Sequence, residues 1–140
     1  MRPMLNRLRQ ILHTSACSCV IGNGDTIAEF HQRGIKDLYD LLHNNRRMLD
    51  GASIADKVIG KGAAALMIAG CVKEVYADVI SEAAMELFGR YGITVSYDKK
   101  VAHIINRRGD DICPVEKRCT ECNTIEECLK EIDEFVMSMM

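Results

Sequence analysis

Two stretches of the 140-residue chain carry side chains whose types and spacing could do chemistry. The first is residues 51–89. Asp56 and Lys57 stand side by side in a β-branched run, and Lys61 follows between Gly60 and Gly62. Asp78, Ser81 and Glu82 recur at the end of a second such run. Carboxylates placed there can take and give protons. An ammonium between glycines, where backbone amides can approach closely, suits a phosphate or another anion at a helix start. Asp56, Lys57, Asp78 and Glu82 are therefore the candidate catalytic residues, and Gly60, Lys61, Gly62 and Ser81 the candidate ligand-binding ones. The stretch is not a P-loop, since the second glycine and the hydroxyl that would hold magnesium are missing. The bland alternative is that Gly60 and Gly62 permit tight helix–sheet packing, with Asp56 and Lys57 a solvated pair and Glu82 a first-turn acid favoured by the helix dipole.

The second stretch is the tail. Cys113, Cys119, Cys122 and Cys128 follow C-x5-C-x2-C-x5-C. Four thiolates so close in sequence could hold zinc or an iron–sulfur cluster. The outer spacings match neither the common zinc ribbons nor ferredoxins. A disulfide within C-x-x-C, two disulfides, or free thiols packed under the last helix are the alternatives. The remaining polar residues say less. His103 and Asn106 could reach a site from the far end of the chain, but a lone loop histidine is more often exposed and inert. His13, His31 and His43 are scattered, and Cys17, Cys19 and Cys71 have the look of small buried hydrophobes.

These residues must be positioned by elements that the apolar periodicity marks out. Residues 3–13 read as a helix with Leu5, Leu8, Ile11 and Leu12 on one face. Residues 16–21 and 26–30 read as a hairpin around Asn23-Gly24. A helix runs from Ile35 to about Arg46, after Gly34. Then come a strand (53–59), an Ala-rich helix (63–69), a strand (74–80), a helix capped by Ser81 (82–88), a strand (93–97) and a final helix (124–137). Residues 101–105 could extend a strand or form a short helix, and Met137, Met139 and Met140 suggest a frayed end. Strands joined by a crossover helix are parallel, and ligands collect beyond their carboxyl ends. The order predicts a single α/β domain over residues 1–140, a three-layer α/β/α sandwich with a mixed sheet of about five strands, on which the Cys-rich segment and last helix (113–140) pack.

Composition narrows the function. A net charge of −2, from 18 basic and 20 acidic residues, gives no general pull toward nucleic acid or anionic membrane. No apolar run approaches the length needed to span a bilayer. Aromatics at 5% leave no stacking platform for single strands. Seven cysteines, an odd number without a signal peptide, fit a reducing cytoplasm better than a secreted framework. A homo-oligomer is compatible with all of this.

The order of elements is that of the cytidine deaminase-like arrangement. The runs RGIKDLYDLL, GASIADKVIGKGAAALMIAG, VKEVYADVISEAAMELF, YGITVSYDKKVAHIINR and DDICPVEK closely resemble an uncharacterised prokaryotic family, a domain of unknown function with a deaminase-like fold. The resemblance does not bring an activity. Zinc deaminases need a His or Cys with a Glu at one helix start and P-C-x-x-C at the next. No His or Cys lies between Asp50 and Gly70, and no Cys between Asp78 and Phe88. Three expectations follow. The first is a small anionic or nucleotide-like ligand held by Lys57 and Lys61, with Asp56, Asp78 or Glu82 handling protons. The second is a metal- or redox-sensing module built on the tail cysteines. The last-ranked is a zinc deaminase taking its metal from elsewhere. On the first, Lys61→Ala should leave the fold as stable as before while weakening a phosphate-bearing ligand, and the tail should be separable from the rim.

Overall fold

The computed structural model describes residues 2–32, 35–105 and 108–139. Five strands form one mixed sheet, ordered β2-β1-β3-β4-β5: β1 (Cys19–Asn23), β2 (Thr26–Phe30), β3 (Ser53–Ile59), β4 (Glu74–Ser81) and β5 (Thr94–Val101). The β1–β2 hairpin turns at Gly24, whose φ of 60° is the left-handed conformation such a turn requires. β1 runs antiparallel to β3, pairing Cys19 with Asp56. β3, β4 and β5 are mutually parallel, and a parallel pair needs a crossover. Those crossovers carry α3 (Lys61–Ala69) and α4 (Glu82–Arg90). The other helices are α1 (Pro3–Thr14), α2 (Lys36–Asn44), α5 (Pro114–Cys119) and α6 (Ile125–Ser138).

The sheet separates two unequal cores. Against one face, α1 buries Leu5, Leu8 and Leu12 on Val20, Ala55 and Tyr76. Against the other, α2 through α6 bury Leu38, Leu66, Phe88, Cys119 and Ile132 over Ile21, Ile54, Val75 and Ala77. The protein is thus an α/β fold with an open five-stranded mixed sheet and helices on both sides. Helix α3 is the hub of the larger core. Every residue from Lys61 to Met67 is buried, because α2, α4, α5 and α6 all pack around it. A helix that is apolar all round survives only when wrapped this way, and its alanines let the neighbours come close. A β-carbon at Gly62 would run into a Val115 methyl of α5.

The departures from expectation have local causes. α2 stops at Asn44, and a short 3-10 turn, Arg46–Met48, follows it. Residues 16–18 precede the strand that begins at Cys19. β5 is longer than its apolar stretch, since Lys99 and Lys100 continue the pairing with Val79 and Ile80 on an exposed edge where no hydrophobic signal is needed. Between Val101 and α5 the described residues make an isolated bridge, Ile105 to Ile112. Helix α5 had no periodicity to announce it. Pro114 in its first turn is the feature that starts it. Gly34, Asn106 and Met140 lie outside the described residues. Among the described residues no helix is long and apolar enough to cross a membrane.

Candidate functional site

The amino end of α3 is where an anion was expected. Gly60 caps it in extended backbone with no side-chain cap of its own. The cap comes instead from Glu116, 2% exposed, on α5. Its Oε1 accepts from the Lys61 amide at 2.8 Å and from the Ser81 hydroxyl at 2.9 Å, and its Oε2 accepts from the Ile104 amide at 2.6 Å. Ser81 Oγ in turn accepts from the Ala84 amide at 3.2 Å, which caps α4. Three donors converge on one buried carboxylate, a strong charge-assisted arrangement. A β-carbon at Gly60 would stand 3.1 Å from Glu116 Oε1, so this glycine is small because the carboxylate is there.

Lys61 is buried at 7% exposure, and its ammonium points away from solvent. Nζ donates to the Cys122 carbonyl at 2.5 Å and the Thr120 carbonyl at 3.4 Å, in the turn after α5. Gly60, Lys61, Gly62 and Ser81 are therefore engaged with residues 104–122 of the same chain. The tail and the rim share one set of buried hydrogen bonds.

Asp78 lies elsewhere, with the α1 face. Its Oδ1 accepts from Tyr76 Oη at 2.7 Å and sits 2.6 Å from His13 Nε2. Burial and the Asp78 carboxylate both push the Tyr76 phenol above its ordinary range. Arg9 stacks 5.2 Å above the Tyr76 ring. Glu82 is exposed in the first turn of α4. The rim residues are thus divided among three environments, and Asp78 and Glu82 do not converge with Asp56.

Asp56 lines a cavity of about 170 Å³ between β1, β3 and the start of α2. Ser18, Cys19, Phe30, Gln32, Asp37 and Lys57 line it as well. Asp56 is 8% exposed, and its carboxylate has a long 3.4 Å contact from the Val58 amide. Desolvation raises its pKa from 3.8 to about 7, against the lowering effect of the Val58 and Lys57 amides. Cys19, paired across from it, is pushed well above its ordinary range by burial and then by the Asp56 charge. Asp37 accepts from both the Gln32 amide at 3.1 Å and Gln32 Nε2 at 2.8 Å, which fixes the mouth of the cavity. Lys57 is exposed beside it. A carboxyl that is half ionised near neutral pH can act as acid, base, donor or acceptor.

All seven cysteines are free. Cys119, Cys122 and Cys128 are buried in the larger core, and Cys113 is half-buried. Hydrogen bonding from Cys119, with help from Lys61 and Cys122, lowers the Cys128 thiol to about 7 despite its burial. Burial and the Cys128 charge raise Cys122 to about 11. Among the described residues no group of three or more His, Cys, Asp or Glu is arranged to hold a metal ion.

Sequence reasoning passed over Glu116, Cys19, Asp37 and Gln32. Glu116 had a signal, an acid two residues after a proline in the first turn of a helix. Cys19 had none, because its place opposite Asp56 depends on a non-local antiparallel register.

Comparison with curated proteins finds no match. Among solved structures, the chain is similar to the crystal structure of a DUF1893 family protein, TM1506, from Thermotoga maritima. The two are 28% identical with a TM-score of 0.85, over 100% of this chain and 92% of the other. Residues 7–136 match the family described as a domain of unknown function, DUF1893, and the chain belongs to that family.

Proposed function

We propose that the protein binds a small nucleotide-like ligand in the Asp56 cavity, with Asp56 as the group that exchanges a proton or hydrogen bond with it. The observation that carries this reading is the Asp56 carboxyl itself: buried, facing a cavity, outside every ion pair among the described residues, and with a pKa near 7. A buried carboxylate without a countercharge is costly to ionise, and carboxyls perturbed in this way cluster at functional sites. The volume sets the scale. Pockets for drug-sized ligands run to roughly 300–1,000 Å³, so 170 Å³ admits one ring or a compact polar group rather than a whole nucleotide. The wall offers Ser18, Gln32 and Asp37 for hydrogen bonding, and Phe30 and Leu38 for apolar contact. A nitrogen heterocycle fits that mixture. Any phosphate attached to it would extend outward toward the exposed Lys57, since Glu116 already fills the amino end of α3. The order of strands and helices, which resembles a deaminase-like arrangement, is in keeping with the same reading without implying zinc chemistry.

Thermal shift across nucleobases, nucleosides, nucleotides and sugar phosphates tests it. A stabilising ligand should lose most of its effect in Asp56→Asn, and Lys57→Ala should weaken only the phosphorylated members. A ligand that stabilises Asp56→Asn as well as the parent would remove the cavity from the account.

A further inference from the structure

Donors and acceptors are unequal on the wall of the Asp56 cavity, and the inequality selects a kind of ligand. The Ser18 hydroxyl has one proton, and two carbonyls claim it, Gln32 at 2.8 Å and Phe30 at 3.2 Å. What Ser18 offers a ligand is therefore a lone pair. Gln32 spends its backbone amide and one side-chain N–H on Asp37, which leaves its side chain an oxygen and one hydrogen. The Cys19 thiol on β1 bonds to Asp56. Asp37 on α2 and Asp56 on β3 supply two carboxyls, and neither belongs to an ion pair among the described residues. The charge of Asp78 on β4 also bears on Asp56. Lys57, the one cation of the lining, is exposed. The rest of the lining is apolar: Ile21, Phe30, Leu38 and Val58. The cavity is thus rich in acceptors and negative charge, between apolar walls.

We infer that this cavity takes a planar organic cation of the amidine or guanidine class, with its paired N–H groups on the Asp56 carboxylate. The inference rests on the reading of the cavity as a ligand site, and it names the edge that the ligand presents there. Two parallel N–H groups on one carbon match the two oxygens of a carboxylate, and such charge-assisted pairs are the strong ones. A delocalised planar cation is more weakly hydrated than an ammonium, so it loses less on leaving water. Its faces suit the apolar walls, Phe30 among them. A neutral amide has a carbonyl oxygen in place of the second nitrogen, and that oxygen would face the carboxylate. Binding is also tied to a proton. Desolvation, with Asp78 and Asp37 adding to it, keeps the proton on Asp56 up to about pH 7. The arriving cation replaces that proton, which leaves to solvent. Apparent affinity should therefore fall about tenfold for each pH unit below 7 and level off above it.

Calorimetric titration of the full chain tests this with acetamidine and benzamidine, each beside its neutral counterpart, acetamide and benzamide. The amidines should bind about tenfold more tightly than their amides, or better. Near pH 6 their binding should release protons, read as a heat that changes with the ionisation enthalpy of the buffer, and should be about tenfold weaker than near pH 8. Asp56→Asn should lose the preference for amidine over amide. If that variant does not fold, the pH profile and proton release of the parent decide alone, and a flat profile overturns the inference. Amides that bind the parent as tightly as the amidines, and fail to bind Asp56→Asn, would overturn it while leaving the cavity a ligand site. Amidine binding that survives Asp56→Asn unchanged would overturn both. No binding by either amidine would overturn this inference alone, since the wider thermal-shift panel decides the cavity.

Discussion

The two ends of the short segment from Asp56 to Lys61 are treated oppositely by the fold. At Lys61 every buried polar group is answered: the amide by Glu116, the ammonium by two carbonyls, the Ser81 hydroxyl by Glu116 and the Ala84 amide. At Asp56, five residues earlier, a carboxyl is just as buried, yet it faces a cavity and is met by the long Val58 contact, the Lys57 amide and the Cys19 thiol, with no ion pair among the described residues. Both ends looked functional by residue type. Local satisfaction is what separates them. A polar cluster closed on itself contributes to stability, whereas one left open is available to a ligand.

The comparison can be broken from the closed end first. Glu116→Ala orphans the Lys61 amide, the Ser81 hydroxyl and the Ile104 amide together, and should cost about 5 kcal/mol. A urea titration reads this directly, and a cost below about 1 kcal/mol would mean the closure is not built in. The open end should show itself in pH. The folded Asp56 binds its proton up to about pH 7, whereas an unfolded one releases it near 3.8. The stability it adds is complete below pH 4 and declines as pH rises to 7, by on the order of 4 kcal/mol. Asp56→Asn should flatten that slope, and an unchanged slope would mean Asp56 ionises normally. Lys61→Ala should then cost about 2 kcal/mol, since the Cys122 and Thr120 carbonyls lose their donor. That reverses the expectation that it would leave the fold untouched. Smallest of all, Asp78→Asn should cost about 0.5–1 kcal/mol through its part-exposed pair with His13 and leave ligand affinity unchanged. A loss of affinity there would join the α1 face to the site.

Much of the frame was legible because it is local. The hairpin at Asn23-Gly24, the strands and crossover helices from Ser53 to Arg90, and the cap at Ser81 each follow from nearby residues. So did Asp56 and Lys57 as residues at the edge of something. Lys61 could not be read correctly from its surroundings. A lysine in the first turn of a helix is mildly unfavourable alone, and that suggested an external anion. Its partners lie 55 to 61 residues away in the tail. The cavity required the same kind of knowledge, because Asp56 meets Cys19 and Asp37 only after β1 pairs with β3 and α2 folds over them. The C-x5-C-x2-C-x5-C spacing suggested a four-thiolate centre. The described structure instead buries three of those sulfurs between α5 and α6, with Cys113 only half-buried at the start of α5.

One titration tests the division between the two ends most directly. Backbone amide spectra of the labelled protein would be followed while nucleoside monophosphates, the matching bases and inorganic phosphate are added in turn. Ligand binding at the open end predicts shifts at Cys19, Lys57 and Val58 with a base or nucleotide, while the Lys61 and Ile104 amides stay fixed on Glu116. Shifts at Lys61 and Ile104 on adding inorganic phosphate, with Cys19 and Val58 unmoved, would contradict it and place the anion at the amino end of α3.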